Sequence, residues 1–473
     1  MGLRPDQRLG LDRVQAAWAS GQQCVCLVQP TGAGKTHTAA SAMAESAERW
    51  LFMVHRDVLA QQTLHRLRSP EFGLDAGVLT GRLKENTKAR VLVATVQSML
   101  RRKDMLASFD RVIVDEAHRG EHTKVLQHMR TVPQVKVLGL TATPCTPTGG
   151  LAPLFDSLVV GLTYPQAVQA GVILKPVIYA PMRPATAGLR VRAGEYVEAD
   201  LVPLMHQLMG DVMGAYGKYC AGKRTLIFTV NRAHGKEVRQ ALEEASQRPL
   251  YIDGETPPGE RDDILAQWRA ERRPLVNIGV FAEGYDEPGI EAVLLANPMK
   301  SLARYLQCAG RGCRATPGKA NYLLVDCSGS VFDHGSPAAH REWTLEAGHT
   351  RVKGKAASFR VCKNCFAVFE GAACELCGTV PSVAPPAKKG VRAELQLIPD
   401  SFVPSVDATP KIKDPELEMT DSTRLRRRLY AEMQRQFREP VLTSRVSEAM
   451  KSRVVVLWRG ASLVLPAHTS LLW

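Results

Sequence analysis

Short runs of apolar residues alternate with amphipathic segments along the first third of the chain. Helical periodicity separates several of the runs, at residues 35–49 and 56–67. The runs are rich in Val, Leu and Ile, which is typical of strands buried on both faces, and they lie at 24–28, 50–54, 91–94, 112–114 and 135–140. Because alternating strands and helices characterise βαβ units, residues 1–160 are predicted to form an α/β domain with a mainly parallel sheet.

The same rhythm returns in the second half and predicts another α/β domain over residues 222–335. Its helical segments lie at 233–247 and 259–272, and its predicted strands lie at 224–229, 249–252, 275–280, 292–295 and 321–325. Residues 161–221 between the two domains are expected to form a proline-punctuated linker and a helix over 200–219.

The charge balance of the chain favours a polyanionic partner. The 473 residues carry a formal net charge of +14, with a pI near 9.3. An excess of this size is typical of nucleic-acid-binding proteins, although a merely soluble basic protein has it too. No apolar stretch is long enough for a transmembrane helix, and the charged N-terminus does not resemble a signal peptide, so a cytoplasmic protein without a membrane partner is expected.

A phosphate-binding loop is predicted directly after the first strand. Residues 29–36 read Gln-Pro-Thr-Gly-Ala-Gly-Lys-Thr and open a helix. Backbone N–H groups around Thr31, Gly32 and Gly34 would wrap the phosphates of a nucleotide. Lys35 would reach the β and γ phosphates, and the Thr36 hydroxyl would bind Mg²⁺. The strict consensus has glycine in place of Gln29, but a known variant requires only Thr-Gly-x-Gly-Lys-Thr.

An acidic pair at the end of a later strand supplies the other half of an ATPase site. Asp115 and Glu116 follow the apolar residues 112–114. Asp115 is predicted to hold Mg²⁺, and Glu116 to orient and deprotonate the attacking water. A lone Asp-Glu pair is usually a solvated loop, whereas its combination with Lys35 indicates an ATP-hydrolysing enzyme.

With these residues the chain resembles superfamily two helicases of the DEAH-like subgroup, over residues 3–330. The resemblance implies two tandem RecA-like P-loop domains. In the first, it places Gln7 on the adenine edge and assigns Thr141 and Thr143 to the coupling of hydrolysis with domain movement. It also implies that residues 54–59 and 94–97 grip the nucleic-acid backbone.

In the second domain, residues 226–229, 279–286 and 307–314 resemble the family's later motifs. The resemblance implies that Gly284 and Asp286 lie near the ribose and the domain interface, and that Gln307 takes part in coupling. Arg311 and Arg314 would reach across to the γ-phosphate as arginine fingers. ATP would therefore bind in a cleft between the domains, which closes for hydrolysis and reopens afterwards.

Four of the 11 cysteines have the spacing of a metal site within residues 355–380. The pairs are Cys362 with Cys365, and Cys374 with Cys377. Thiolates in this pattern suit a structural tetrahedral Zn²⁺. An iron–sulfur cluster is the alternative, and unligated core cysteines are the third interpretation.

A helicase core followed by a four-cysteine element resembles the RadD-like DNA-repair helicases of bacteria and related phage-encoded helicases. This resemblance implies a bacterial or phage-infected bacterial cytosol. Residues 381–473 form a basic C-terminal region, in which residues 424–428 are expected to contact phosphates or to face solvent. The apolar residues 462–473 suit packing on the core or contact with a protein partner.

The sequence thus predicts an ATP-dependent DNA helicase or translocase with ATP, Mg²⁺ and structural Zn²⁺ as cofactors. Single-stranded or branched DNA is the expected partner, and the expected role is repair, recombination or replication. Three alternatives stay open: the motor of a restriction or antiviral system, an RNA helicase, and a non-enzymatic zinc-containing nucleic-acid-binding protein.

Overall fold

The computed structural model describes residues 2–146, 149–281, 287–346, 351–352, 359–380, 454–458 and 461–465. The chain divides into two compact units, Met1–Ala387 and Lys388–Trp473. Gly284, Asp286, the basic segment 424–428 and most of the C-terminal region lie outside the described residues.

The first unit contains two lobes, each built on its own sheet. The first lobe has an eight-stranded sheet in the order β4-β3-β5-β2-β6-β7-β1-β8, parallel except for the pairing of β4 with β3. Its strands are β1 (Cys24–Val28), β2 (Trp50–Val54), β3 (Ala76–Leu79), β4 (Lys84–Glu85), β5 (Val91–Thr95), β6 (Arg111–Asp115), β7 (Lys136–Thr141) and β8 (Ser157–Val160). Its helices are α1 (Pro5–Ala19), α2 (Lys35–Ala44), α3 (Asp57–Arg68), α4 (Val96–Leu100) and α5 (Thr123–Met129).

The second lobe has a six-stranded parallel sheet in the order β13-β14-β12-β15-β16-β9. Its strands are β9 (Pro176–Tyr179), β12 (Thr225–Thr229), β13 (Leu250–Ile252), β14 (Pro274–Asn277), β15 (Ala292–Ala296) and β16 (Tyr322–Asp326). A separate hairpin pairs β10 (Val191–Arg192) with β11 (Glu195–Tyr196). The helices are α6 (Tyr164–Gln169), α7 (Glu198–Gln207), α8 (Met209–Ala215), α9 (Arg232–Glu244), α10 (Pro258–Ala270), α11 (Leu302–Ala309) and α12 (Ser330–His334).

Smaller elements follow the second sheet. They are β17 (Arg341–Glu342) with β18 (Arg351–Val352), and β19 (Arg360–Val361) with β20 (Val368–Phe369). In the second unit, β21 (Val454–Trp458) and β22 (Ala461–Leu465) form an antiparallel hairpin. Within the part of the chain that the structure describes, no helix combines the length and apolar character needed to cross a membrane.

Both sheets are buried on their two faces, which explains the near-continuous apolar runs in the sequence. Every residue of β1, β2, β5, β12 and β15 is buried, and separate apolar clusters cover each face of each sheet. The predicted fold of two RecA-like domains with mainly parallel sheets is confirmed.

The segment 161–221 contributes more than the expected linker and helix, because β9 forms an edge of the second sheet. The helix expected over 200–219 is two helices, α7 and α8, which meet at Leu208. Helix α2 ends at Ala44 and not near residue 49, because the Arg90 guanidinium binds the carbonyl oxygens of Met43 and Ser46 at 2.9 and 2.6 Å.

Candidate ATP site between the two lobes

The predicted phosphate loop leaves β1 and enters α2 at Lys35. Gly34 has a φ of +88°, a left-handed conformation that residues other than glycine rarely adopt. Gln7 is fully buried, and its amide nitrogen lies 3.4 Å from the Ala33 carbonyl oxygen. Arg4 donates to the same oxygen at 2.8 Å. The structure thus places Gln7 against the backbone of the phosphate loop, where it supports the loop.

Asp115 and Glu116 lie at the carboxyl end of β6, on the same edge of the sheet as the phosphate loop. Glu116 has a φ of +50°, which is uncommon for any residue other than glycine and costs conformational energy. Burial and the neighbouring Glu116 carboxylate raise the pKa of Asp115, while Lys35 and His55 lower it. A divalent cation would stabilise the charged form of Asp115, so this donor set fits Mg²⁺.

A chain of polar side chains links Glu116 to the predicted coupling residues. His118 Nδ1 lies 3.5 Å from Glu116 Oε2 and 2.9 Å from Thr141 Oγ1. Thr141 in turn accepts from the Thr143 backbone N–H at 3.0 Å. His118, Thr141 and Thr143 are all buried. A change in the position or charge of the Glu116 side chain can therefore be passed through His118 and Thr141 to the loop that contains Thr143.

Gln307 connects the two lobes at the carboxylate of Glu116. It lies on α11 of the second lobe, and its Nε2 is 3.4 Å from Glu116 Oε2. This contact brings one predicted coupling residue onto the predicted general base. Arg311 follows two residues after the end of α11 and is half-buried.

The phosphate loop is also in direct contact with the loop that carries both predicted arginine fingers. Cys313 Sγ lies 3.3 Å from the Thr31 carbonyl oxygen. A Cβ added at Gly32 would lie 2.8 Å from the same sulfur and 3.6 Å from Arg314 Cγ, so only glycine fits there. Burial raises the pKa of the Cys313 thiol to about 12, whereas Lys319, Arg311 and Lys35 act to lower it. Cations of both lobes, Lys35 in the first and Arg311 in the second, therefore influence this thiol.

Two contacts hold the arginine-finger loop, one from a nearby residue and one from a residue far upstream in sequence. Lys319 Nζ donates to the carbonyl oxygens of Gly312 and Arg314 at 2.7 and 3.1 Å. Leu174 N donates to the Cys313 carbonyl oxygen at 2.6 Å, and Leu174 lies two residues before β9. The finger loop is thus fixed to the edge of its own sheet.

The segments expected to grip nucleic acid present only part of their residues to solvent. Arg56, Val58 and Gln97 are exposed, whereas His55 and Thr95 are buried. Arg56 Nη1 lies 3.5 Å from the Gly279 carbonyl oxygen of the second lobe. The carboxyl ends of β2 and β14 therefore face each other across the lobes.

The four predicted zinc ligands converge at one point. The sulfur atoms of Cys362 and Cys377 are 3.5 Å apart, those of Cys365 and Cys374 are 3.6 Å apart, and all four lie within 4.8 Å of one another. Tetrahedral zinc with Zn–S bonds of about 2.3 Å requires sulfurs about 3.8 Å apart, and disulfides are far shorter. A hydrogen bond with the Thr379 hydroxyl lowers the pKa of Cys377 to about 6. The cluster could therefore hold zinc.

The cysteine element is docked on the edge strand of the second lobe. Ala180 N donates to the Phe366 carbonyl oxygen at 3.0 Å, and the Tyr219 hydroxyl donates to the Cys365 carbonyl oxygen at 3.2 Å. The rings of Tyr219 and Tyr179 stack with centroids 4.2 Å apart. The element covers backbone groups that an open sheet edge would leave unpaired.

We expect Cys377→Ser to remove the metal and destabilise the second lobe. Zinc content should fall from about one ion per chain, and the midpoint of thermal unfolding should fall by about 5 °C or more. Metal analysis and calorimetry of the full chain measure both quantities. Cys145→Ser is the matched control, since Cys145 lies outside the cluster. A Cys377→Ser chain that keeps its zinc would contradict the assignment.

The fold and the shared site define a two-lobed P-loop motor. Residues 1–146 match the family model of the type III restriction enzyme res subunit, and residues 209–316 match the helicase conserved C-terminal domain. The two matches, in this order, identify the core of the chain as that of a superfamily 2 helicase. The family implies an ATP-hydrolysing enzyme that uses ATP and Mg²⁺.

Curated relatives come from a phage and from a restriction system. A 51.5 kDa protein of a Lactococcus phage is 26% identical over 384 residues, which cover 78% of this chain and 81% of the phage protein. The type I restriction enzyme EcoKI endonuclease subunit of Escherichia coli is 26% identical, over 69% of this chain and 34% of that subunit. This chain therefore spans about a third of the restriction subunit.

A solved structure supports the fold. The DNA-bound ATP-dependent type ISP restriction-modification enzyme LlaBIII matches with a TM-score of 0.52 and 16% identity. The match covers 69% of this chain and 27% of that enzyme. The likeness is one of fold, since so low an identity carries no functional detail.

Proposed function

We propose that the chain is an ATP-driven motor that moves along DNA or unwinds it, in repair, recombination or replication. The contact between Gln307 and Glu116 carries this proposal. The contact joins the predicted general base of the first lobe to helix α11 of the second, which leads into the turn with Arg311. Movement of the lobes and hydrolysis of ATP therefore depend on the same pair of side chains.

The site residues divide the chemistry between the lobes. Lys35 and Thr36 would hold the phosphates and their Mg²⁺ together with Asp115, and Glu116 would take a proton from the attacking water. Arg311 would stabilise the charge that develops on the transferred phosphoryl group. The cation supplies charge neutralisation on the phosphate oxygens.

A nucleic-acid track is supported by charge. The formal net charge of +14 suits a phosphate backbone. A second candidate is the motor of a restriction or antiviral system with its nuclease in another protein. The likeness to the EcoKI endonuclease subunit favours it. DNA cleavage by the purified chain alone would contradict that arrangement.

Steady-state ATP hydrolysis tests the proposal. The full chain is assayed without nucleic acid and with single-stranded DNA, forked DNA or RNA of matched sequence. We expect DNA to stimulate turnover by on the order of tenfold or more, because the bound strand favours the closed lobes. Lys35→Ala should abolish the activity and so exclude a contaminant. Stimulation by RNA alone would establish an RNA motor, and an unchanged rate with every nucleic acid would refute the proposal.

A further inference from the structure

The hairpin β10–β11 lies between β9 and α7 in sequence and has no counterpart in the motifs that define the motor. Its two central residues, Ala193 and Gly194, have φ angles of +51° and +80°. Positive φ at both positions is the geometry of a tight two-residue turn, which matches the twist of the paired strands. The hairpin is therefore a defined element and presents the exposed residues Val191 and Arg192.

One side chain of this hairpin is tied to the start of α11. The Glu195 carboxylate accepts from the backbone N–H groups of Lys300 and Ser301 at 3.2 and 3.3 Å. Its Oε2 lies 3.8 Å from Arg304 Nη1. A carboxylate at the positive end of a helix stabilises that end. The Ser301 hydroxyl caps the same end by accepting from Arg304 N at 3.3 Å, so Glu195 and Ser301 together stabilise the start of α11.

Helix α11 connects the Glu195 contact to the ATP site. It contains Gln307, which contacts Glu116, and it leads directly into the turn with Arg311. Eight helical residues span about 12 Å, and so short a helix moves as a rigid rod. A displacement at Ser301 is therefore transmitted to Gln307 and Arg311.

The exposed side of the hairpin is cationic. Arg192 lies directly opposite Glu195 in the register, so both side chains stand on one face of the hairpin. Within the described residues, the side chain of Arg192 forms no hydrogen bond or ion pair, although its backbone pairs with Glu195. Lys300 is also exposed, and its ammonium lies 5.9 Å from the centre of the Tyr196 ring, on the face of the hairpin opposite Arg192. The exposed residues around the hairpin thus include two cations, Arg192 and Lys300.

The hairpin also lies at the edge of the lobe that faces the other lobe. Lys300 follows the carboxyl end of β15, which runs parallel to β12, and β12 runs parallel to β14. The loop after β14 contains Gly279, which meets Arg56 of the first lobe. Ligand sites of open parallel sheets lie at this carboxyl edge.

We propose that the hairpin is a coupling element: Arg192 contacts a phosphate of the bound strand, and Glu195 passes that contact to α11. Glu195 is then a positioning residue for Gln307 and Arg311, and the hairpin explains how a strand on the surface stimulates hydrolysis. The inference rests on the nucleic-acid motor proposed above.

Arg192→Ala tests the surface half of the proposal. Affinity for single-stranded DNA should fall about three- to tenfold at low salt, and the slope of log affinity against log salt should decrease by about one. Arg272→Ala is the matched control. It removes an equally exposed arginine of the same lobe that pairs with Glu291 at the opposite edge of the sheet, and it should leave affinity and slope unchanged. Equal effects of the two substitutions would overturn the proposal.

Glu195→Gln tests the coupling half, because it keeps the shape and removes the charge. The kcat of hydrolysis at saturating DNA should fall about five- to tenfold, with the KM for ATP within about twofold. Glu195→Asp should restore part of the rate. A lower kcat with a changed KM and a lower midpoint of thermal unfolding would show that Glu195 only stabilises the structure, and would overturn the coupling. A wild-type chain that ignores DNA would instead overturn the motor function itself, which is a separate result.

Discussion

Replacement of Arg311 by alanine should reduce ATP turnover by about 10³–10⁵-fold, the largest effect of any single substitution outside the phosphate loop. The side chain comes from the second lobe, on the turn whose neighbouring Cys313 contacts the phosphate loop of the first. It would meet negative charge that grows only as the terminal phosphoryl group is transferred. Nucleotide affinity should therefore change little, because the phosphate loop and Asp115 are untouched.

Single-turnover hydrolysis with saturating ATP separates these two quantities. Arg311→Lys is the chemical control, since an ammonium keeps the charge but lacks the planar fork of donors. We expect it to recover only a small part of the rate. If Arg311→Ala hydrolyses ATP within tenfold of the wild type, the finger is Arg314, which lies over Gly32. Arg314→Ala would then show the large loss.

The sequence predicted those parts of the site in which neighbouring residues act together. The phosphate loop and the acidic pair each lie within a few residues of a strand end, so strand periodicity and motif spacing sufficed to place Lys35 and Glu116 on one sheet edge. The same reasoning located the cysteines, because two Cys-x-x-Cys turns determine where four sulfurs meet.

Contacts between residues distant in sequence could not be predicted. One support of the finger loop, Leu174, lies far upstream in a segment expected to be a linker. Helix α2 ends where Arg90 binds its carbonyl oxygens, although the periodicity of the chain continues beyond that point. A single sequence contains no signal for such pairings, because each arises only when the sheet has assembled.

The same limit applies to the hairpin and to the cysteine element. Four residues in two short strands carry too little periodicity to be recognised, and nothing local relates Glu195 to the backbone of Ser301. The cysteine spacing predicted a metal but not its position against Ala180 and Tyr219. Both elements are attached to the second lobe, the hairpin at the start of α11 and the cysteine element at β9.

Because of these attachments, the second lobe both carries Arg311 and sets the position of the loop on which Arg311 lies. The finger loop is held at one end by α11, whose start is stabilised by Glu195 and Ser301, and at the other by Leu174 next to β9. Residues outside the ATP site therefore determine where the finger lies. Substitutions there should alter kcat before they alter nucleotide affinity, which is the signature of altered positioning.

Glu116→Gln should reduce hydrolysis by about 10²–10⁴-fold and leave ATP bound. The amide keeps the size of the carboxylate but cannot accept the proton of the attacking water. Glutamine can still meet Gln307 at the distance of 3.4 Å that joins the lobes, so closure should persist. The variant should therefore hold ATP and DNA together for longer than the wild type does.

Single-turnover hydrolysis and the dissociation rate of labelled DNA in the presence of ATP measure both effects. Glu121→Gln is the matched control, because that exposed carboxylate pairs with Arg119 on the loop that follows. It should change neither quantity. Slower hydrolysis with faster DNA release would mean that the charge of Glu116 holds the lobes together through Gln307. Glu116 would then act first as a contact between the lobes, and the proton would have to go to another acceptor, of which His118, 3.5 Å away, is the nearest candidate.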